Sequence, residues 1–370
     1  MLRLQTWIAA LACALAAATA QAQIRIGQTA GFTGQVAAGV KETTAGAKLY
    51  FDAVNARGGI GGERVELVSL DDKFDTKLAA QNAQTLASDP KVVALFLSRG
   101  TPQTQAMLPV IEKAQIALVA PSTGAMVLHS PVLPLVFNVR ASYQREAARA
   151  VEHLFGIAVT RIAVLHPNDS FGNDAVIGAT AGFAKNSAKP VFVGQFDQKA
   201  TDFGALAAKL KPIDPQAVLF IGSAQSVADG TRILRAAGLR AQIVTLSNNA
   251  SSGFIALLGA NARGTVISQV FPNERSIASL LIKEILDSAK AAHVDAVSPA
   301  FVEGYAGAKV LVEGLRRAGR HPTRAAVITA LESISNYDLG GMKLSYSNTD
   351  HTGLDFVDLS IVDAQGILRR

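Results

Sequence analysis

The sequence contains one cysteine and one tryptophan in 370 residues, and that scarcity excludes several chemistries. The only thiol, Cys13, lies in an apolar leader. The rest of the chain therefore has no disulfide, no thiolate nucleophile and no cysteine metal site. The six histidines, at 129, 153, 166, 293, 321 and 351, include no close pair, so no compact metal-binding motif exists and no metal is expected. There is no G-x-S-x-G elbow, no P-loop Gly-Lys-Ser/Thr and no H-E-x-x-H helix. The glycine cluster Gly58–Gly62 follows a helical stretch rather than a strand and reads as a helix stop and turn, not a nucleotide loop. Past the leader, no segment reaches about 18 consecutive apolar residues, the length needed to cross a bilayer. Lys and Arg outnumber Asp and Glu by 35 to 29 but are spread along the chain. No basic run interleaved with aromatics marks a nucleic-acid surface.

What is present begins with an export signal. Arg3 supplies a positive start, Trp7 to Ala18 an apolar stretch, and Ala20-Gln21-Ala22 a small-x-small cleavage site, so residues 1–22 read as a signal peptide removed on secretion. Cleavage ahead of Cys13 would leave an apolar region of about six residues, below the usual 7–15, which argues against a lipoprotein. The mature chain, roughly 350 residues, exceeds one comfortable core and predicts about two domains.

Short apolar runs alternate with stretches of helical period. The strand candidates are Ile24–Thr29, Arg64–Leu70, Val92–Leu97, Ile116–Val119, Arg161–His166, Val191–Gln195, Ala217–Ile221, Gln242–Leu246 and Thr265–Val270. Between them, Val36–Ala56 places Val40, Thr44, Ala47, Phe51 and Val54 on one face. Thr76–Ala87, Gln103–Lys113, Arg145–Phe155, Asp174–Lys185 and Ser226–Ala237 behave alike. This rhythm predicts an α/β fold of two open parallel-sheet lobes with helices on both faces. It pauses at Val136–Tyr143 and resumes. The last third, with helices over Glu274–Ala292, Pro299–Ala318 and Thr323–Ser333 and alternating runs at Leu339–Tyr346 and Leu354–Val362, must return to sheets already built. Several crossovers then make a multi-strand hinge. The predicted division is 23–139 plus 273–345 for lobe one and 140–272 plus 346–370 for lobe two.

Ligands of open α/β sheets bind outside the carboxyl ends of the strands. After Val92–Leu97 comes Ser98-Arg99-Gly100-Thr101-Pro102, with Thr101 suited to an N-cap and Pro102 to the first helical position. After Ile116–Val119 comes Pro121-Ser122-Thr123-Gly124-Ala125, again hydroxyls at an expected helix start. Capping alone would explain Thr101 and Ser122. Paired on adjacent strands, with Arg99 added, they form a site for a carboxylate or similar anion. In the second half Phe171 sits in a polar, glycine-bounded loop, positioned either to stack on a ligand or to staple the next helix. Ser223-Ala224-Gln225 and Ser247-Asn248-Asn249 come after the next strands and offer neutral hydrogen-bonding groups. Asp71-Asp72 ends a strand and is expected to face solvent or cap the next turn.

Six segments occur in an order that resembles one family: Gly27–Gly34 (GQTAGFTG), Asn55–Gly62 (NARGGIGG), Gly100-Thr101-Pro102, Pro121–Ala125 (PSTGA), Phe137–Tyr143 (FNVRASY) and Glu303-Gly304-Tyr305. With the signal peptide, they resemble the periplasmic solute-binding proteins of branched-chain amino acid type ABC importers, the Leu/Ile/Val-binding protein family. The resemblance covers essentially the whole mature chain. It implies two lobes joined by three hinge strands, closing on a ligand and then docking to a membrane permease. It also implies that the loops matching Thr101 and Ser122-Thr123 hold the ligand's carboxylate, and that Phe171 matches the aromatic covering it. Tyr143, ending the fifth segment, joins the candidate contacts. This sequence departs from the family in three places. Asn248-Asn249 matches a loop that in amino acid binders carries an acidic partner for the α-ammonium. Small residues near Gly39 match a bulky aromatic, and Arg99 stands where a small residue is common.

These observations predict a monomeric periplasmic binding protein, not an enzyme, with no cofactor. Its partners would be a small organic carboxylate or amino acid and an ABC importer permease. The candidate ligand residues are Arg99, Thr101, Ser122, Thr123, Tyr143, Phe171, Ser223, Gln225, Asn248 and Asn249. Because no carboxylate is foreseen to meet an ammonium, a carboxylate lacking a free α-ammonium is the expected ligand. A ligand-sensing module of the same fold would normally carry a transmembrane or signalling segment. An exported α/β hydrolase would need an activated serine in a strand–turn–helix elbow.

Overall fold

The computed structural model describes residues 23–198 and 201–370; the predicted signal peptide lies outside them. The first sheet holds β1 (Gln23–Ala30), β2 (Arg64–Asp71), β3 (Val92–Phe96), β4 (Ala117–Val119) and β5 (Val136–Phe137) in the order β2-β1-β3-β4-β5. Every pairing in it is parallel. Helices α1 (Ala37–Ala56), α2 (Thr76–Ser88) and α3 (Thr101–Ala114) supply the crossovers. The second sheet holds β6 (Ile162–Pro167), β7 (Phe192–Phe196), β8 (Ala217–Phe220), β9 (Gln242–Thr245) and β10 (Val266–Gln269), again parallel. Their helices are α4 (Tyr143–Gly156), α5 (Ser170–Lys185), α6 (Phe203–Leu210), α7 (Ala224–Ala236) and α8 (Ser252–Leu258). The fold is therefore the predicted pair of α/β lobes. All nine predicted strands lie within one residue of the observed ones at either end.

The C-terminal third returns to both lobes. Helices α9 (Leu280–Ala291), α10 (Pro299–Ala318) and α11 (Arg324–Glu332) pack with the first sheet in one core, and the hairpin β11 (Tyr337–Asp338) and β12 (Lys343–Leu344) comes next. β13 (Asp358–Val362) then joins the second sheet antiparallel to β10, with β14 (Leu368–Arg369) beside it. The chain thus passes between the sheets after β5, after β10 and before β13. The predicted helix from Glu274 starts only at Leu280, because the Ser279 side chain caps Ile282 N–H and fixes the entry there.

Each sheet is sandwiched by apolar clusters, as parallel strands buried on both faces require. The helix starts are set by short polar caps: Asp75, Ser142, Asp169, Ser223, Ser251, Ser298 and Thr323 each accept a backbone N–H of the following turn. α1 and α10 cross at two glycines. A Cβ on Gly304 would stand 1.7 Å from the carbonyl oxygen of Thr43, and one on Gly46 1.9 Å from that of Phe301.

Candidate ligand site between the lobes

The carboxyl ends of the two sheets face each other, and β3 shapes the centre of the gap. Beyond Phe96 the chain turns through Leu97 and Gly100, both at positive φ, so Arg99 projects between the lobes. Arg99 and Ser122 form a parallel bridge, held by Ser122 N–H donating to Ser98 O at 2.7 Å. The Arg99 guanidinium donates through Nη1 to Ser122 Oγ at 2.9 Å, in its own lobe. Through Nη2 it donates to the carbonyl of Asn248, in the other. Arg99 is only 6 % exposed. Both of these partners are neutral, so the cation is removed from water without a carboxylate against it, an arrangement that costs several kcal/mol when nothing compensates.

Beside the guanidinium lies a small cavity of about 20 Å³, walled by Arg99, Thr101, Tyr143, Phe171, Ser223 and Asn248 among others, with no carboxylate in its wall. A water-sized group needs about 10–15 Å³, so the space admits one small terminal group. Phe171 is buried on the first turn of α5, its ring centroid 4.7 Å from that of Tyr143. Arg140 lies over the other aromatic, its Cζ 4.6 Å from the Tyr143 centroid. Burial raises the Tyr143 phenol pKa above its ordinary value, against the opposing pull of Arg140 and Arg99, so it stays neutral at physiological pH. Further out, sharing Phe74, Pro102 and Gln198 with the inner wall, opens a chamber of about 410 Å³.

Six of the ten candidate residues therefore meet at one place. Ser122 reaches it through Arg99. Thr123 lies one step behind, fully buried, its Oγ1 2.7 Å from Thr101 Oγ1. Asn249 faces away and holds Gly222 O and Thr245 Oγ1. Gln225 turns along α7 to Asp229. Neither side chain lines the inner cavity, although Gln225 N–H donates across the lobes to Gln35 O at 3.4 Å.

Two predicted helix starts need correction. Gly100, not Thr101, is the N-cap of α3, and the Thr101 hydroxyl pairs with Thr123 instead of capping. Pro121–Ala125 opens no α-helix: the segment runs beside Ser98–Gly100 and ends in a three-residue 3-10 turn, Met126–Leu128. Gly124 is clamped there, since a Cβ would stand 2.5 Å from Ala141 O. Of the two helix starts predicted in the first lobe, only that of α3 is an α-helix N-terminus at the site.

Three residues at the site were not foreseen. Gln35 bridges the lobes, donating to Gln198 O at 3.1 Å and accepting from Ser223 Oγ at 3.0 Å. Gln198 accepts from Ser223 N–H, and Phe74 forms part of both cavities. Phe74 and Gln198 come after β2 and β7, so the carboxyl-end rule covers them, but neither loop offers the hydroxyl pattern that marks the other contacts. Asp72 is buried rather than solvated and caps Phe74 N–H.

The Periplasmic binding protein family matches residues 23–363. This chain belongs to the periplasmic binding proteins. The six-segment resemblance is borne out by this match. A Brucella melitensis protein named Leu/Ile/Val-binding protein homolog 3 is 26% identical over 336 residues, covering 90% of this chain and 89% of its own. The Leu/Ile/Val-binding protein of Escherichia coli K12 is also 26% identical, over 80% and 79% of the two chains. The crystal structure of a substrate-binding periplasmic protein from Ralstonia solanacearum shares 31% identity, with a TM-score of 0.86 over 94% of this chain and 99% of that one. Periplasmic binding proteins of this kind bind substrates rather than transform them, and the cleft described above is where the two lobes meet. Among the described residues no helix is long and apolar enough to cross a membrane.

Proposed function

We propose that this chain is the exported substrate-binding component of an ABC importer and that it closes on a small organic carboxylate without an α-ammonium. One observation carries the ligand class: the Arg99 guanidinium is buried between the lobes on neutral groups only, beside a cavity whose wall holds no carboxylate. A carboxylate brought to Arg99 gains a charge-assisted hydrogen bond. An α-ammonium brought to the same place meets a like charge and an amide at Asn248. Glu303 offers no rescue, because its side chain lies by Arg140 and outside the cavity wall. The relatives named for Leu, Ile and Val supply the general class of a small metabolite, and Arg99 with Asn248 moves the specificity away from the amino acid.

The lobes in this reading are 23–139 plus 273–345 and 140–272 plus 346–370, acting as a monomer in the periplasm after loss of the signal peptide and delivering to a membrane permease. Contacts from both lobes to one ligand favour the closed state. The test is calorimetric titration with matched pairs, leucine against its 2-oxo acid and phenylalanine against phenylpyruvate. The oxo acids are expected to bind about tenfold tighter or more, a difference of roughly 1.4 kcal/mol, and Arg99→Ala to abolish their binding. Tighter binding of the amino acids overturns the ligand class.

A further inference from the structure

The lobes also meet outside the two cavities, where α1 of the first lobe passes the start of α8 in the second. The Glu42 carboxylate on α1 accepts from Ser252 N–H through Oε2 at 3.0 Å and from Gly253 N–H through Oε1 at 2.9 Å. These two amides open α8, where main-chain N–H groups have no partner within the helix. Ser251 Oγ serves the next one, Phe254 N–H, from inside the second lobe. Ala38, Glu42 and Gly253 line neither the inner cavity nor the outer chamber.

Gly253 shows how closely the lobes approach. Outside its own helix, the three atoms nearest to a Cβ at Gly253 would all belong to the first lobe: Ala38 Cβ at 2.2 Å, Glu42 Oε1 at 3.4 Å and Ala38 Cα at 3.5 Å. Its own backbone does not require glycine, since φ is not positive there, and alanine is the better helix former. What excludes a side chain is the opposite lobe. The run Ala37-Ala38-Gly39 completes the approach, because it keeps α1 to methyl groups or less where α8 arrives.

We infer that Glu42 and Gly253 form a latch that holds the lobes together and sets ligand affinity without touching the ligand. This rests on the reading that the chain closes on a ligand, and it specifies what favours the closed state from the protein's own side. The charge-assisted hydrogen bonds of Glu42 join one lobe to the other, so their loss favours the open form. Apparent affinity scales with the population that is competent to bind. A weakened latch therefore lowers the affinity of every ligand by one common factor.

The experiment compares the full mature protein with Glu42→Gln and Gly253→Ala. The measurements are small-angle scattering without added compound, urea denaturation, and calorimetric titration with leucine, phenylalanine and their 2-oxo acids. Both variants are expected to enlarge the radius of gyration and to weaken every compound that binds by the same factor, about tenfold for Gly253→Ala. The urea midpoint of Gly253→Ala should not fall. Unchanged scattering with no change in any affinity overturns the latch. A lowered midpoint in Gly253→Ala without expansion also overturns it, by making the glycine a requirement of its own lobe. An altered ratio of affinities between compounds overturns it as well, by placing these residues at the ligand. Expansion of both variants with binding by none of the four compounds overturns the carboxylate reading and leaves the latch standing.

Discussion

Arg140 Nη1 and Glu303 Oε1 face each other at 3.9 Å where the chain first crosses between the lobes, and neither atom has a hydrogen-bond partner. The rest of the Arg140 guanidinium is bound to the second lobe, to Glu146 and to Ser247 Oγ, while Glu303 belongs to α10 of the first lobe. Glu146 also accepts from Ser247 N–H and Ser268 Oγ. Arg140 is thus the cation of a buried cluster that joins both lobes at the hinge.

Removing Glu146 leaves a buried guanidinium uncompensated. Glu146→Ala should destabilise the protein by about 3–5 kcal/mol, read from the midpoint shift in urea denaturation. Glu303→Gln should cost less and leave the ratio of affinities for leucine and its 2-oxo acid unaltered. A selective loss of leucine binding in Glu303→Gln would place Glu303 at the ligand instead of the hinge.

Arg324, the first residue of α11, reaches across to the first sheet. Its guanidinium donates to four main-chain carbonyls: Val92 at 3.0 Å, Ala114 at 3.1 Å, Ala87 at 2.8 Å and Asp89 at 3.1 Å. Ala87 and Ala114 close α2 and α3, where carbonyls lack helical partners and the dipole favours a cation. Hydrogen bonds to charged groups contribute about 1.5–3 kcal/mol each, and four that share one guanidinium amount to less than their sum. Arg324→Met is expected to cost about 2–4 kcal/mol in all, and Arg324→Lys to recover less than half of it, since a point charge cannot serve four acceptors. Full recovery by lysine in chemical denaturation would refute the argument from geometry.

Gly304 permits the α1–α10 crossing, with no room for a methyl group against Thr43 O. Gly304→Ala should lower stability by about 1–3 kcal/mol or more through overpacking, although alanine favours helices by about 1 kcal/mol relative to glycine. Thermal unfolding that rises in this variant would show that the helices separate freely. The same contact gives a physical reason for the Glu303-Gly304-Tyr305 segment: one residue faces the hinge cation, one permits close approach, and Tyr305 packs edge-on to Tyr50 at 4.9 Å.

The fold is largely legible in the sequence because the central parallel strands are apolar on both faces and most are followed by a helix with a polar cap, two signals that agree. Legibility fails where an element is too short to show a period. β5 is two residues long, and α6 and α8 have eight and seven. The C-terminal run Leu354–Val362 shows a strand but not that it enters the second sheet antiparallel. At the site, hydroxyls before apolar periods predict helix caps. Ser223, read only as a neutral hydrogen-bonding group, in fact caps Ser226 N–H, whereas Thr101, read as a cap, follows the actual N-cap Gly100. The cap reading fails for Ser122 as well, because whether an extended segment continues into a helix depends on its clamp, here Ala141 against Gly124. Gln35 and Gln198 are invisible in the sequence because an amide in a loop gains meaning only when a second lobe meets it.

Two buried groups give opposite pH responses, and each sign comes from its shift. His129 is 4 % exposed with both ring nitrogens unpartnered. Burial pushes its pKa down to about 4 from 6.5, with Arg140 adding to the effect and Asp350 opposing it. The unfolded chain takes up this proton near pH 6.5 and the folded one only near 4, so its contribution is full above 6.5 and lost as pH falls toward 4. Asp72, fully buried, is pushed up to about 6 by burial, against bonds from Phe74 N–H and Thr29 Oγ1 and with help from the charges of Asp71 and Asp75. The folded state keeps this proton up to about pH 6 while the unfolded chain releases it near 3.8. Its contribution is therefore full below 3.8 and lost as pH rises toward 6. Each shift corresponds to about 3 kcal/mol when fully expressed, and between about pH 4 and 6 the two slopes largely cancel in the wild-type protein. His129→Leu should expose the Asp72 slope, making stability fall as pH rises from about 4 to 6. Asp72→Asn should expose the His129 slope, making stability rise over the same interval. Urea titrations at half-unit steps of pH would check both signs, and parallel curves for the two variants would refute the assignment of these groups.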